Sequence, residues 1–308
     1  LGGGSSTPFT HKSHCQHLKT TLALRIHIRE APLTKKMTST LEGLGLGLAG
    51  GIIIGISVAI FLHSTGHLTG ISGIVDGLVS PGKHLPWKLS WLSGLLAAAA
   101  AAALVRPDFF YQSNDVNIAL DNTWVGYLIG GVLVGFGTRF GSGCTSGHGV
   151  CGISRFAPRS AASVLIFLTS GIATATVVNL NSPNVLLTAT PIIENTPTPV
   201  VSYGAIALTV LVVGGVLYTH WSRAREIIIS FLMGALFSVG LAVGGMTRRV
   251  LIVSFLNLNA EWNWRLMWVL GGSVGVAMAA FWVARKRAHT YWGLKYLIPT
   301  NRVVTLKL

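Results

Sequence analysis

The sequence predicts an all-α polytopic membrane protein, with about seven spanning helices and short re-entrant half-helices arranged as internal repeats. Three observations predict it. Apolar residues make up 51% of the 308-residue chain and charged residues only 10%. Seven long stretches contain no Asp, Glu, Lys or Arg. Between them lie glycine-rich breaks that repeat one motif, and glycine, at 37 residues, is well above its usual share of a soluble domain.

At the N-terminus, residues 1–40 are polar and basic, with Glu30 their one acid. They read as a disordered segment, either a targeting leader or, preferably, an extension ahead of a start at Met37. Their His11, His14, Cys15 and His17 have metal-like spacing but no second half-site. The uncharged stretches run from Gly43 to Val75, Leu89 to Val105, Asn122 to Thr138, Ser160 to Ile193, Asn195 to Ser222, Ile227 to Thr247 and Leu266 to Ala284. About 20 apolar residues cross a bilayer, so each of these holds one span. Basic residues sit at their ends, as at Lys83, Lys88, Arg106, Arg223, Arg225, Arg248, Arg249 and Arg285 to Arg287. That placement suits headgroup contact. The formal charge of +14 is therefore not read as a nucleic-acid surface, because no basic patch with interleaved aromatics accompanies it. Lys35 and Lys36 before the first span favour a cytosolic N-terminal side.

The motif Gly66-His-Leu-Thr-Gly-Ile-Ser72 returns as Gly147-His-Gly-Val-Cys-Gly-Ile-Ser154. Each copy comes after a glycine-bearing span, is too short to cross alone, and precedes another span. A weaker third copy runs through Gly244-Gly-Met-Thr247 into the apolar run Val250 to Leu258. The domain expected from this pattern covers 41–292, with repeats at about 41–105, 122–180 and 200–284. Residues 293–308 read as the start of an incomplete fourth repeat, which a partner subunit or a longer chain would complete. Interrupted helices in repeated units point to a transport site where the half-helices meet. Half-helices are expected at 66–79 and 141–157.

The densest constellation lies between Gly135 and Arg155, where Cys144, His148, Cys151, Arg139 and Arg155 stand among glycines. Polar groups at membrane depth are costly and mark pathways. Half-helix N-termini offer amide donors and partial positive charge, so convergence of two or three favours an anion. Asp76 is the one acid within the two breaks, which gives proton coupling little support. Asp76 is expected to cap a half-helix or pair with a basic residue, and Arg155 to reach toward headgroups. His67 and His148 are expected either to line the pathway or to bond a carbonyl at a helix break.

The run Gly135 to Ser160, centred on Gly-Cys-Thr-Ser-Gly-His-Gly-Val-Cys-Gly-Ile-Ser-Arg, resembles the signature of the YeeE/YedE sulfur-transport family. Residues 66–77 are similar to that family's first repeat and 227–284 to its second, partner half. The resemblance implies uptake of thiosulfate or a related sulfur-containing anion across the plasma membrane, an organelle membrane being the alternative. It implies that Cys144 and Cys151 handle the substrate's sulfur, and nothing carries over to Cys15. The candidate pathway residues are Cys144, Cys151, His148, Arg139, His67, Gly143, Gly147 and Ser146. Cys144 is placed first because it comes directly after the Gly141-Ser-Gly143 break, where backbone amides are expected to be free. No catalytic residue, metal or cofactor is assigned. The expected partners are the anion, the lipid bilayer, and an intracellular sulfur-handling protein or a subunit supplying the missing repeat. The alternatives are a membrane sulfurtransferase or sulfur-relay component, for which no paired base is visible, and a soft-metal channel through Cys144, His148 and Cys151, for which five methionines are few.

Overall fold

The computed structural model describes residues 42–79, 85–105, 124–181, 199–258, 262–287 and 289–297. The N-terminal His and Cys cluster and residues 298–308 lie outside them. The chain divides into two units, 1–45 and 46–308. Of the first only the opening residues of one helix are described, and all other described residues belong to the second.

Among the described residues the regular structure is helical, apart from an isolated antiparallel bridge between His289 and Lys295. The helices are α1 (Glu42–Thr65), α2 (Ile71–Val79), α3 (Leu85–Val105), α4 (Trp124–Phe140), α5 (Pro158–Asn181), α6 (Pro199–Thr219), α7 (Ala224–Gly244), α8 (Arg249–Leu256) and α9 (Arg265–Lys286). Six of them, α1, α3, α5, α6, α7 and α9, are long and apolar enough to cross a bilayer. Helix α4 has 17 residues, which at 1.5 Å each is ~25 Å, just under a hydrocarbon core. The chain is thus an all-α, multi-pass membrane protein.

Helices with so little polar surface associate through close packing and interhelical hydrogen bonds rather than hydrophobic burial alone. Both devices are present. A methyl group at Gly94 of α3 would land on the Phe231 carbonyl of α7, and one at Gly234 of α7 on the Trp91 carbonyl of α3. The two backbones therefore touch. Gly50 and Gly51 let α1 approach the backbones of α7 and α9 in the same way. Buried Ser57 donates to the Met233 carbonyl (2.7 Å), and buried Ser90 to that of Ile227 (2.7 Å). Phe61, Leu62, Trp91, Phe237 and Phe281 fill the space between these helices.

Three stretches of the described residues share one plan, a long apolar helix followed by a break, a short helical segment and a second long apolar helix. In the first, α1 ends at Gly66 (φ 76°), and residues 66–70 are irregular before α2. In the second, α4 runs into a turn at 141–143, then a π-helical segment at Gly147–Gly152 and a 3-10 turn at Ile153–Arg155 before α5. In the third, left-handed Gly245 closes α7 and α8 precedes α9. Arg265 at the start of α9 donates to the last carbonyls of α7, Gly244 (2.9 Å) and Val243 (2.8 Å). Residues 289–297, whose last five open the 293–308 segment read from sequence as the start of a fourth repeat, form a turn against α1. There Tyr291 N–H bonds His63 O (3.0 Å) and Leu297 N–H bonds Gly66 O (2.9 Å), which satisfies carbonyls that the end of a helix leaves open.

Gly94→Leu should drive α3 from α7 and lower the thermal unfolding temperature of the detergent-solubilised protein, at a cost of ~1–3 kcal/mol or more from overpacking. Gly130→Leu in α4, where nothing described lies within 4 Å, should leave it unchanged.

Candidate functional site

The first two breaks meet. Gly70, the last residue before α2, faces Gly147, the first of the π-helical segment, with the Cβ position of Gly70 only 3.6 Å from the Gly147 α-carbon. A methyl group on either glycine would make an ordinary van der Waals contact across the two segments. Their contact brings each cysteine onto the opposite repeat. Cys151 Sγ–H donates to the Thr69 carbonyl across 82 residues (3.2 Å), and Ser72 N–H, in the first turn of α2, donates to Cys144 Sγ (3.4 Å). Cys144 also shares a hydrogen bond with Ser146 Oγ (3.0 Å). Both thiols are free, Cys144 partly exposed and Cys151 buried.

The amides of the Gly141-Ser-Gly143 turn do not serve the thiol, contrary to the sequence expectation. Gly141 N–H bonds Gly137 O (2.9 Å), Ser142 N–H bonds Arg139 O (3.2 Å) and Gly143 N–H bonds Thr138 O (2.8 Å), so all three close the end of α4. The free donor at the sulfur comes from the other repeat. A glycine is needed at 143 because a Cβ there would meet His148 Nε2 at 2.7 Å and because its φ is 157°.

His148 is a brace for this turn. Its Nε2 lies 3.1 Å from Gly141 O, a contact that requires the proton on Nε2, and its Nδ1 then accepts from Ser160 Oγ at the start of α5 (3.0 Å). Arg159 donates to Ser142 Oγ (2.7 Å) from the same helix. Both ring nitrogens of His148 are thus committed to the protein. His67 stacks on Trp87 (4.5 Å between centroids, 20° between planes), and its Nε2 is 3.3 Å from Glu226 Oε1. Arg139 pairs with Asp76 (3.2 Å), joining the end of α4 to α2. Its side chain is 80% exposed. Arg155 is partly buried rather than turned to headgroups. It donates to the Cys151 carbonyl (3.0 Å) and lies over the Phe281 ring, while Arg285 donates to the Arg155 carbonyl (2.7 Å).

These groups surround one open cavity of about 1660 Å³. Cys144, Cys151, His67, His148, Gly143 and Gly147 all line it, as does Arg139, whereas Ser146 reaches it only through Cys144. Among the described residues, the wall carries Lys88, Arg139, Arg155, Arg159 and Arg285 against the single acid Asp76. Among the described residues no three His, Cys, Asp or Glu side chains converge as a metal site would require. The arrangement can hold an anion by fixed positive charge and offer it a thiol.

Residues 9–174, more than half of the chain, match the family model described as sulphur transport. The chain belongs to the sulphur-transport family. The match takes in the first two breaks with Cys144 and Cys151, and residues 225–308 of the transporter match a second family, described as of unknown function. A protein of Xylella fastidiosa strain Temecula1 named probable transporter is 40% identical over 132 residues, which cover 42% of this chain and 90% of that relative. The strain 9a5c protein of the same name gives the same figures. A second probable transporter of strain Temecula1 is 26% identical over 90 residues, 61% of its length. No solved structure matches the chain. It is a membrane transporter of this family.

Sequence reasoning missed Ser72, Lys88, Arg159, Ser160 and Arg285, and read Arg155 as a headgroup contact. Ser72 and Ser160 were within reach, since the first lies in the repeated motif and the second closes the family signature. Lys88 and Arg285 give no local signal, because they reach the cavity only through the packing of α3 and α9.

A small neutral thiol reagent should modify Cys144 at least about tenfold faster than Cys151 in membranes, since the thiolate is the reacting form and burial of Cys151 disfavours that form as well as access. Mass spectrometry of the two peptides over time would measure it, and comparable rates would mean that Cys151 is not shut behind Thr69.

Proposed function

We propose that this transporter carries thiosulfate, or a closely related sulfur-containing anion, inward across the plasma membrane through the cavity between its first two half-units. The observation that carries the reading is the pairing of two thiols with a surplus of positive charge on one cavity wall. An anion entering low dielectric loses hydration, and fixed cations with amide donors offset that loss. Sulfate-like ions have hard oxygens alone. A soft, polarizable thiol adds a contact suited to a terminal sulfur and costs less desolvation than a second charged group.

Cys144 is the first contact. Its sulfur accepts the Ser72 amide, so the thiol proton is available to Ser146 or to the substrate. Cys151 is the second, and its S–H must leave the Thr69 carbonyl before it can meet an anion. Both contacts are weak, and weak contacts suit a pathway because a substrate held tightly is not released. The activity is movement of the ion without chemical conversion. His148, Gly143 and Gly147 shape the turn and the close approach that present the thiols, and His67 forms the cavity wall beside Trp87. Arg139 stands near the mouth with its charge partly balanced by Asp76.

Cys144→Ser should reduce thiosulfate influx into proteoliposomes by about tenfold or more, with normal insertion, because the hydroxyl keeps the hydrogen bonds and loses the soft sulfur. Cys151→Ser should reduce it less. Normal influx in both variants would return the cysteines to packing.

Arg139→Ala should slow influx most at low ionic strength, where steering is strongest, and Arg139→Lys should restore part of the rate. An exposed pair adds at most ~1 kcal/mol to stability, so unfolding should be little changed. Influx at low salt that is indifferent to both substitutions would assign Arg139 to the membrane surface instead.

A further inference from the structure

Four buried side-chain donors or acceptors have no hydrogen-bond partner among the described residues, namely Thr69 Oγ1, Trp87 Nε1, Trp91 Nε1 and Thr176 Oγ1. Two of the four, those of Thr69 and Trp87, belong to residues of the cavity wall. Thr69 is 3% exposed and Trp87 5%. A buried hydroxyl left without a partner is costly, and such groups are rare enough in folded proteins to need a cause.

The repeat supplies one. Thr69-Gly-Ile-Ser72 and Cys151-Gly-Ile-Ser154 occupy the same register of their repeats, 82 positions apart. The two equivalent residues touch, through the bond from Cys151 Sγ–H to the Thr69 carbonyl. One cavity wall therefore carries, at equivalent places, a soft donor from the second repeat and a hard donor from the first. An anion with sulfur at one end and oxygens at the other presents the same two characters.

Resting on the function proposed above, we infer that Thr69, with the indole N–H of Trp87 from the same cavity wall, is the oxygen-selecting half of the substrate site, and that Cys144 and Cys151 are the sulfur-selecting half. Both donors lie just beneath the cavity surface. Rotation of the Thr69 side chain, which already forms part of the wall, presents its hydroxyl to an oxyanion. The hydrogen bond that Thr69 Oγ1 lacks within the protein is made to the anion when it arrives. Discrimination arises from the same asymmetry, since an anion without oxygen leaves the donor unsatisfied.

The test uses the full chain in detergent and in proteoliposomes, with thermal shift titrations of thiosulfate, sulfite, sulfate and iodide, the last a soft anion without oxygen or nitrogen. Thr69→Val keeps the shape and removes the donor, and Thr69→Ser keeps the donor. In Thr69→Val the half-saturating concentration of thiosulfate and the KM for its influx should rise about tenfold, the loss expected for a hydrogen bond to a charged group. Iodide should be unaffected, and Thr69→Ser should restore thiosulfate binding. The ligand-free unfolding temperature of Thr69→Val should stay the same or rise, because an unsatisfied buried group has been removed. A structural role would lower it. Unchanged oxyanion affinity in Thr69→Val, equal weakening of iodide, or oxyanions that fail to stabilise the wild type would overturn the inference. Wild-type protein that binds sulfite or sulfate in a Thr69-dependent way but imports no thiosulfate would sink the proposed function and leave this site standing.

Discussion

An interrupted helix at membrane depth leaves amides and carbonyls that lipid cannot satisfy, so every break in this bundle survives only where another part of the protein covers it. The contact of Gly70 with Gly147 is the point on which that covering turns. It lets two irregular segments lie against each other closely enough for Ser72 to reach Cys144 and for Cys151 to reach Thr69. The same exchange that satisfies the backbone places both thiols at the junction. Stability of the break and construction of the site are therefore one event.

The surrounding contacts hold that junction in place. His148 and Arg159 tie the 141–143 turn to α5 and its neighbourhood, and Arg139 with Asp76 ties α4 to α2. From the other half of the chain, Arg285 of α9 holds the carbonyl of Arg155, and the turn at 289–297 closes the end of α1. The part matching a family of unknown function thus braces the part matching sulphur transport, through hydrogen bonds to backbone at both breaks. Arginine suits these tasks, since its planar fork reaches carbonyls while its charge still contributes to the cavity.

An anion pathway needs attraction without capture. Five basic residues on the wall would hold an anion strongly in a closed, dry cavity, yet Asp76 offsets Arg139, and several of the guanidinium groups are already bonded to carbonyls or hydroxyls. What remains is a field rather than a clamp. Thiols suit that balance, being weak donors that give up one partner for another at little cost.

Composition and periodicity determined the class, the approximate number of spans and the positions of the breaks, because a bilayer imposes a length on every apolar stretch and glycine marks where the helix stops. The repeat and the signature from Gly135 to Ser160 were equally legible, and with them Cys144, Cys151 and His148 as residues of interest. Their partners were not. That the amide at Cys144 comes from Ser72, that His148 spends both nitrogens on its own turn, and that Arg155 points inward all depend on two segments about 80 residues apart meeting face to face. A sequence fixes local backbone preference and the cost of burying each side chain. Only the tertiary contact decides which orphaned amide, carbonyl or thiol is satisfied by which, since that is settled by distance in space.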